Sequence, residues 1–308
     1  MKISMQCGEN EGDLHFSGWD HAISGVSVDD RGRSAIKFCE DKCVNTHKLE
    51  YCPNSLRIFF DDKTYCAEDI EELIEGLGEG SILLETTTLG FVEIFLACRA
   101  IKGMSRKKTT LLYMEPQDYT KDPHKRYVLS KRDFELSDEI KGFVGIPYAT
   151  YMLRKGISTK ALFLLGYEGD RLRQAFESLE IQPSMCSFVY GVPAFHPGWE
   201  MNSFANSVSI LQEKNAGRNI LYSGAQNPKV AYNVIEKIYK SCDPSNRERL
   251  LISPIGTKPH AIGAALFACE HEDVALVYDF PSKKTGRSSK TSKWHLFDID
   301  FGAVDEEI

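Results

Sequence analysis

The chain has no run of eighteen consecutive apolar residues, so it offers no segment that would span a membrane as a helix. Positive charge is in the minority, since 37 Lys and Arg stand against 44 Asp and Glu and the net charge is −7. This balance argues against a protein that binds nucleic acids in general through positive charge. The first residues, MKISMQCGENEGD, lack the apolar core of a signal peptide, and we therefore expect a protein that is not exported.

Paired cysteine motifs are missing as well. Nine cysteines are scattered over the chain, and some, such as Cys98, lie in apolar runs where a thiol behaves as a small hydrophobic group. Four lie closer together, namely Cys39, Cys43, Cys52 and Cys66. They provide one loose C-x3-C spacing instead of the two short knuckles of a zinc site. A zinc site is therefore not predicted, and a reducing cytoplasm is the expected location.

The sequence also lacks the usual signatures of hydrolases. It contains no GxSxG elbow and no HExxH motif, and its eight histidines show no metal-ligand spacing. These absences argue against a hydrolase triad and a metalloprotease. We predict neither a metal nor a cofactor.

The composition is that of a globular protein, with 42% apolar and 26% charged residues in 308 positions, enough for two domains. The first 65 residues are predicted to be rich in β-structure, with hairpins in GVSVDDRGRSAIKF and LRIFFDDKTYC. A helix is predicted after Glu68, followed by a strand–helix–strand unit in SILLE, FVEIFLACRAI and TLLYMEP. We place the domain boundary near residue 155, giving domains of residues 1–155 and 156–308.

Strand and helix patterns alternate regularly from residue 160 onwards. The predicted strands are ALFLLG, SFVYGV, NILYSG, RLLISP and DVALVYD, with four helical patterns between them. Such alternation favours a parallel sheet flanked by helices. The last run, WHLFDIDF, is predicted to return antiparallel beside residues 273–279. The fold class is therefore α/β: a Rossmann-like, mostly parallel sheet with flanking helices, preceded by a β-rich N-terminal α/β region.

Ligands of open α/β sheets bind beyond the carboxyl ends of the strands, which selects a few loops as candidates. Ser253, Gly256, Thr257 and Lys258 follow RLLI and precede an apolar helix that contains His260. Glycine amides, a hydroxyl, a lysine and a helix N-terminus together favour a phosphate-binding turn. A purely structural turn, with the lysine in solvent, is the alternative.

The loop after ALFLL carries Gly166, Glu168, Asp170 and Arg171. Its carboxylates suit contacts to ribose hydroxyls or proton transfer, and helix capping is the alternative. Residues 191–199, after SFVY, present two aromatic residues and one histidine. They are interpreted either as a wall for base stacking or as a packed loop.

Two further segments are candidates for ligand contacts. Thr86 and Thr87, with a third threonine after them, end a strand of the first domain and either contact a ligand or cap the next helix. Residues 283–293 include Lys284 and Arg287, carry five positive charges and no acid, and emerge at the same edge as the Gly-Thr-Lys turn. This segment is interpreted as a solvated loop or as a loop that closes over an anion.

The run RLLISPIGTKPHAIGAALFAC resembles the signature turn of CARF-type domains, the Rossmann-like sensors of cyclic oligonucleotide messengers in prokaryotic antiviral systems. SILLETTTLGF looks like a degenerate second copy of that turn. The resemblance implies that Gly256, Thr257 and Lys258 line a ligand pocket, with Gly166 contributing, and that the protein dimerises across it. The chain lacks the appended nuclease patterns of the family. The resemblance therefore implies either a separate effector chain or cleavage of the ligand in the pocket itself.

Three functions follow as hypotheses. The first is a cytoplasmic sensor or accessory subunit of a bacterial defence or stress system, which binds a nucleotide or another phosphate-bearing small molecule, forms a homo-oligomer and has no membrane partner. The second is an enzyme that cleaves a glycosidic or phosphodiester bond of a nucleotide, with Glu168, Asp170 or His260 as acid or base. The third is a protein-interaction subunit of a multi-protein defence complex, whose sheet edge holds no ligand.

Overall fold

The structure, a computed structural model, describes residues 1–104, 108–120, 134, 136–150, 158–243 and 248–302. The chain forms two compact units. The first unit comprises residues 1–119 and 285–308, and the second unit comprises residues 120–284. This division differs from the predicted boundary at residue 155, because the chain enters the second unit earlier and its last strand returns to the first.

The elements of the first unit are as follows: β1 (Lys2–Gly8), β2 (Trp19–Ser24), α1 (Asp30–Lys42), β3 (Cys43–Cys52), β4 (Arg57–Phe60), β5 (Lys63–Cys66), α2 (Ile70–Glu75), β6 (Ile82–Glu85), α3 (Phe91–Gly103), β7 (Lys108–Tyr119) and the final strand β16 (Ser288–Asp300). They build an eight-stranded sheet in the order β1-β16-β7-β6-β2-β3-β4-β5. The strands β7, β6, β2 and β3 run parallel to one another. Because β3 lies on one side of β2 and β6 on the other, the strand order reverses between β2 and β6.

The second unit contains these elements: β8 (Ser137–Ile140), β9 (Val144–Gly145), β10 (Ser158–Leu164), α4 (Gly169–Ser178), β11 (Cys186–Gly191), α5 (Glu200–Glu213), β12 (Ile220–Ser223), α6 (Pro228–Lys240), β13 (Glu248–Pro254), α7 (Lys258–Glu270), β14 (Ala275–Tyr278) and β15 (Pro281–Lys283). Its main sheet has the order β12-β11-β10-β13-β14-β9. The first five are parallel, and β9 is antiparallel to β14. The five strands and four helices predicted for this half are confirmed, and with them the α/β class.

The core of the second unit lies on both faces of this sheet. One face packs Phe163, Phe188 and Tyr190 against α4 and α5. On the other face, α7 is buried almost all round its surface, as its apolar sequence predicts. Gly263 permits that packing, since a Cβ atom there would lie 2.6 Å from the carbonyl oxygen of Pro228 in α6. In the described part of the chain, no helix is long and apolar enough to cross a membrane.

Three predictions of local structure were wrong. The segment GVSVDDRGRSAIKF contains the start of α1 instead of a hairpin. Asp29 caps this helix, because its carboxylate accepts a hydrogen bond of 2.8 Å from the amide of Gly32, and Phe38 is buried on the inner face. The hairpin predicted in LRIFFDDKTYC is confirmed, since β4 and β5 pair from Arg57 to Cys66.

The run WHLFDIDF lies in β16, where it pairs antiparallel with β1 and β7. It does not lie beside residues 273–279 as predicted, because β9 pairs with β14 at that edge. The predicted loop at residues 283–293 is mostly strand as well, since β15 ends at Lys283 and β16 begins at Ser288. The hydroxyl of Ser288 is buried and donates to Asp29, which ties this segment to the start of α1.

Candidate ligand site at the carboxyl edge of the second sheet

The strand order of the second sheet reverses between β10 and β13, so the loops that follow these two strands meet. A Cβ atom on Gly166 would lie 2.6 Å from the carbonyl oxygen of Ile255, and one on Gly256 would lie 2.7 Å from that of Leu165. Both distances are too short for a side chain. The two glycines therefore allow the loops to pack on each other. From the sequence, the same glycines were expected to let a ligand approach the backbone.

The loop after β13 leads directly into the N-terminus of α7. Thr257 occupies the N-cap position, but its hydroxyl donates to the carbonyl oxygen of Ala225 at 2.9 Å and does not cap the helix. Lys258 is the first helical residue, and Pro259 follows without an amide hydrogen. The first turn of α7 therefore combines a partial positive charge, a lysine and a side chain that leaves the helix amides uncapped.

Two buried serines flank this region. Ser253 near the end of β13 and Ser223 at the end of β12 each have 1% of their surface exposed. Neither hydroxyl has a hydrogen-bond partner in the part of the chain that the structure describes. Buried polar groups are paired in the great majority of cases, so two unpaired hydroxyls at one sheet edge are unusual.

His260 lies in the first turn of α7 and is fully buried. Its Nε2 atom is 3.3 Å from the carbonyl oxygen of Ser223 and 3.2 Å from that of Gly224. Since carbonyl oxygens only accept, Nε2 carries the hydrogen and Nδ1 carries the lone pair. Nδ1 has no partner among the described residues. Burial lowers the pKa of His260 to about 4, against the opposing effect of the two carbonyls, so the ring is neutral at pH 7.

Arg171 forms a buried ion pair that sequence reasoning missed. Its Nε and Nη2 atoms each lie 2.6 Å from an oxygen of Asp279, and Nη1 donates to the carbonyl oxygen of Ile255 at 3.0 Å. Burial alone would lower the pKa of Arg171, but the charge of Asp279 outweighs it and raises that pKa. Arg171 thus connects α4 to the ends of β13 and β14, and its donors are engaged within the protein.

The candidate acids are placed apart from His260. Glu168 precedes α4 and accepts a hydrogen bond of 3.1 Å from the hydroxyl of Ser137. Asp170 is exposed in the first turn of α4. In the described chain no hydrogen bond or ion pair joins either carboxylate to His260. The three residues therefore do not form one catalytic group.

The aromatic residues of the loop at 191–199 pack within the unit. Trp199 is 8% exposed, and its ring centroid lies 5.0 Å from that of Phe134 and 6.1 Å from that of Tyr167. The ring of His196 meets Trp199 edge-on at 4.5 Å. This geometry favours the packed-loop interpretation over a free wall for base stacking.

The remaining candidates are divided between the two units. Thr86 and Thr87 belong to the first unit, where Thr86 donates to the carbonyl oxygen of Leu112 at 2.6 Å and Thr87 accepts from the amide of Met114 at 3.0 Å. Lys284 ends the second unit and Arg287 lies in the first. The site therefore consists of Gly166, Ser223, Ser253, Gly256, Thr257, Lys258 and His260. Ser223 was not predicted, although its place at the end of NILYS marks it as a strand-end hydroxyl.

Known proteins give no guide to the function of this site. No protein-family model matches the chain, and neither a curated protein nor a solved structure shows significant similarity to it. Among the described residues, no group of three or more His, Cys, Asp or Glu side chains is arranged to hold a metal ion.

Proposed function

We propose that the second unit is a Rossmann-like domain that binds an anionic, nucleotide-type ligand where its strand order reverses. We further propose that the chain acts as a sensor or accessory subunit in a bacterial defence or stress system. The observation that carries the proposal is that three buried atoms at this edge, the hydroxyls of Ser223 and Ser253 and Nδ1 of His260, have no hydrogen-bond partner among the described residues. A ligand with hydroxyl and amino groups would supply the missing partners.

The phosphate of such a ligand is assigned to the start of α7. Helix N-termini bind anions through free amides and the helix dipole, and Lys258 adds a full positive charge there. The uncapped first turn supports this assignment, because Thr257 bonds to Ala225 instead of the helix amides. Because the atoms assigned to the ligand are buried, we expect binding to open the packing around them, which includes the close contact between Gly256 and Leu165.

The test is thermal stability of the protein against a panel of nucleotides that includes cyclic di- and oligonucleotides. A ligand that binds only the folded state raises the unfolding midpoint with concentration. We expect Lys258→Ala to abolish the shift. Lys229→Ala is the matched control, since Lys229 lies in the first turn of α6, a helix that Asn227 already caps. No shift with any nucleotide, or equal shifts in both variants, would refute the assignment.

A second function, cleavage of the bound nucleotide, is favoured by the state of His260. The Nδ1 lone pair has no partner in the described structure and is placed to accept a proton from a ligand hydroxyl, although the pKa of about 4 makes it a weaker base than an ordinary histidine. His260→Gln keeps an N–H donor for the two carbonyls and removes the base. Loss of product formation with retained binding would assign an enzyme. An intact ligand after incubation with the wild-type protein would assign a sensor.

A further inference from the structure

The strand β12 lies at one end of the second sheet, and no described strand pairs with its outer side. Toward β11, the carbonyl oxygens of Asn219 and Ser223 accept hydrogen bonds of 2.9 and 2.8 Å from Phe188 and Val192. Successive residues of a strand direct their N–H and C=O groups to opposite sides. Ile220 and Tyr222, which alternate with these residues, therefore direct theirs away from the sheet.

The sequence of β12 contains neither lysine nor proline. Edge strands are commonly blunted by lysine or proline within the strand. The strand β5, at one end of the first sheet, contains Lys63, whereas β12 consists of Ile-Leu-Tyr-Ser. Ile220 and Tyr222 remain 38% and 57% exposed, and Val208 on the adjoining face of α5 is 47% exposed. An apolar, uncharged edge of this kind is typical of a strand that receives a partner.

A cavity of about 450 Å³ opens beside the edge. Three aromatic residues, Tyr190, Phe204 and Tyr222, contribute to its wall. The ring centroids of Tyr190 and Phe204 lie 4.5 Å apart, and those of Phe204 and Tyr222 lie 6.4 Å apart. Its volume lies within the range of ligand-binding pockets and accommodates one large apolar side chain.

The charge around the cavity is positive. Among the described residues, its lining includes Arg218 and no acidic residue, in a chain whose net charge is −7. Neither Arg218 nor nearby Lys214 forms an ion pair within the described ranges. A second copy of the chain would bring the same two cations to the edge. Charge complementarity therefore selects an acidic partner over a second copy.

We propose that the β12 edge is a docking site for an extended, acidic segment of another protein, which adds to the sheet as a further strand. The outward backbone groups of Ile220 and Tyr222 bind the backbone of that segment. One apolar side chain of the segment fills the cavity, and an acidic residue pairs with Arg218. The arrangement is strand addition, in which main-chain hydrogen bonds give affinity and the pocket gives specificity.

The experiment uses the full chain and a fluorescent, end-blocked peptide of sequence Asp-Thr-Ile-Thr-Tyr-Thr-Asp, with binding followed by anisotropy. We expect saturable binding that weakens with salt, and none for a peptide with Lys in place of Asp. Tyr222→Thr removes a ring but keeps a good strand former, and we expect it to weaken binding about tenfold. Arg218→Glu should abolish binding. Val44→Thr, at a side chain that is 79% exposed in the first unit, is the matched control and should bind as the wild type does.

Three outcomes would overturn the proposal. They are the absence of peptide binding, equal binding by Tyr222→Thr and the wild type, and a concentration-dependent dimer of the wild type that Tyr222→Thr dissociates. The last outcome would assign the edge to a second copy of the chain. Lys258→Ala should bind the peptide normally, so failure here is distinguishable from failure of the nucleotide proposal.

Discussion

The two units share a close contact between two loops at the points where their strand orders reverse. A glycine follows the first parallel strand in each case, Gly25 after β2 and Gly166 after β10. A Cβ atom there would lie 2.7 Å from the carbonyl oxygen of Thr88 and 2.6 Å from that of Ile255, respectively. Thr88 and Ile255 each stand three residues before the helix that follows, which begins at Phe91 in α3 and at Lys258 in α7.

The polar atoms at these two points differ. In the first unit, Glu85 accepts hydrogen bonds from the amides of Thr87 and Thr88 at 2.7 and 3.0 Å, and the amide of Gly25 donates to the Thr88 hydroxyl at 2.9 Å. Thr86, five residues before α3, bonds to Leu112. Ser253, five residues before α7, has no partner in the described chain. The hydroxyl at this position is thus paired in the first unit, whereas the equivalent hydroxyl of the second unit has no partner among the described residues.

A cavity beside the first reversal point is also lined by polar groups that are paired within the protein. It measures about 370 Å³ and is lined in part by Ser24 and His47. The hydroxyl of Ser24 donates to the carbonyl oxygen of His47 at 3.4 Å, and Nδ1 of His47 lies 3.0 Å from a carboxylate oxygen of Asp61. These polar groups pair with one another. At the second reversal point, by contrast, Ser253 and Nδ1 of His260 have no partner within the described ranges, and the proposed ligand is assigned there for that reason.

The largest effect on stability is expected at the buried ion pair between Arg171 and Asp279 in the second unit. Asp279→Asn leaves the buried Arg171 cation without its counter-charge, and such a loss costs about 3–5 kcal/mol of unfolding free energy. Glu213→Gln breaks the exposed pair with Arg173, 3.1 Å apart, and should cost less than about 1 kcal/mol. Urea denaturation measures both. A cost below 1 kcal/mol for Asp279→Asn would indicate that Arg171 does not depend on this partner. Arg171 would then be added to the residues that could contact a ligand.

The glycines test whether the two reversal points are packed alike. Gly25→Ala and Gly166→Ala should each cost about 1–3 kcal/mol, because the added methyl group meets a carbonyl group of the backbone. Gly103→Ala at the end of α3 is the control. No atom of the described chain lies within 4 Å of its added Cβ, so the change should be neutral or stabilising by less than about 1 kcal/mol. A much smaller cost at Gly166 than at Gly25 would indicate that the loops at Gly166 and Ile255 separate easily in the second unit.

The sequence predicts the second unit better than the first, for physical reasons. Buried parallel strands such as ALFLLG are short, continuous apolar runs separated by single helices, and this pattern has few other interpretations. The run WHLFDIDF shows which face of a strand is buried but not which strand lies beside it. The segment around Asp29 was misread because Asp-Arg-Gly suits both a turn and the first turn of a capped helix.

The loops of the site were predictable, but the roles of their residues were not. Parallel strands place their carboxyl ends at one edge, which selects the loops at Gly166 and Gly256. Whether those glycines face a ligand or each other depends on contacts between loops that are far apart in the sequence. The pair of Arg171 and Asp279 spans 108 residues, and its only signal is an acid at the end of the apolar run DVALVYD.

The neutral state of His260 predicts a pH dependence of stability. Its folded pKa is about 4, below the ordinary value of 6.5. Above pH 6.5 the ring is neutral in both states and its contribution is complete. As the pH falls from 6.5 to 4, the unfolded chain binds the proton first, and stability decreases by on the order of 3 kcal/mol. His260→Gln should lose less stability across this window, as measured by denaturation at each pH. Parallel curves for the two proteins would contradict the buried, neutral assignment.

The smallest effect distinguishes the two reversal points most directly, because it compares hydroxyls at equivalent positions. Thr86→Val removes the hydrogen bond to Leu112 and should cost about 1 kcal/mol. Ser253→Ala removes no bond within the described chain, so the free protein should be as stable as the wild type or slightly more stable. The ligand proposal requires the opposite order in binding, with Ser253→Ala weakening the nucleotide-dependent rise in unfolding temperature and Thr86→Val leaving it unchanged. If Ser253→Ala lowers the stability of the free protein as much as Thr86→Val does, its hydroxyl already has an internal partner, and the two edges do not differ in kind.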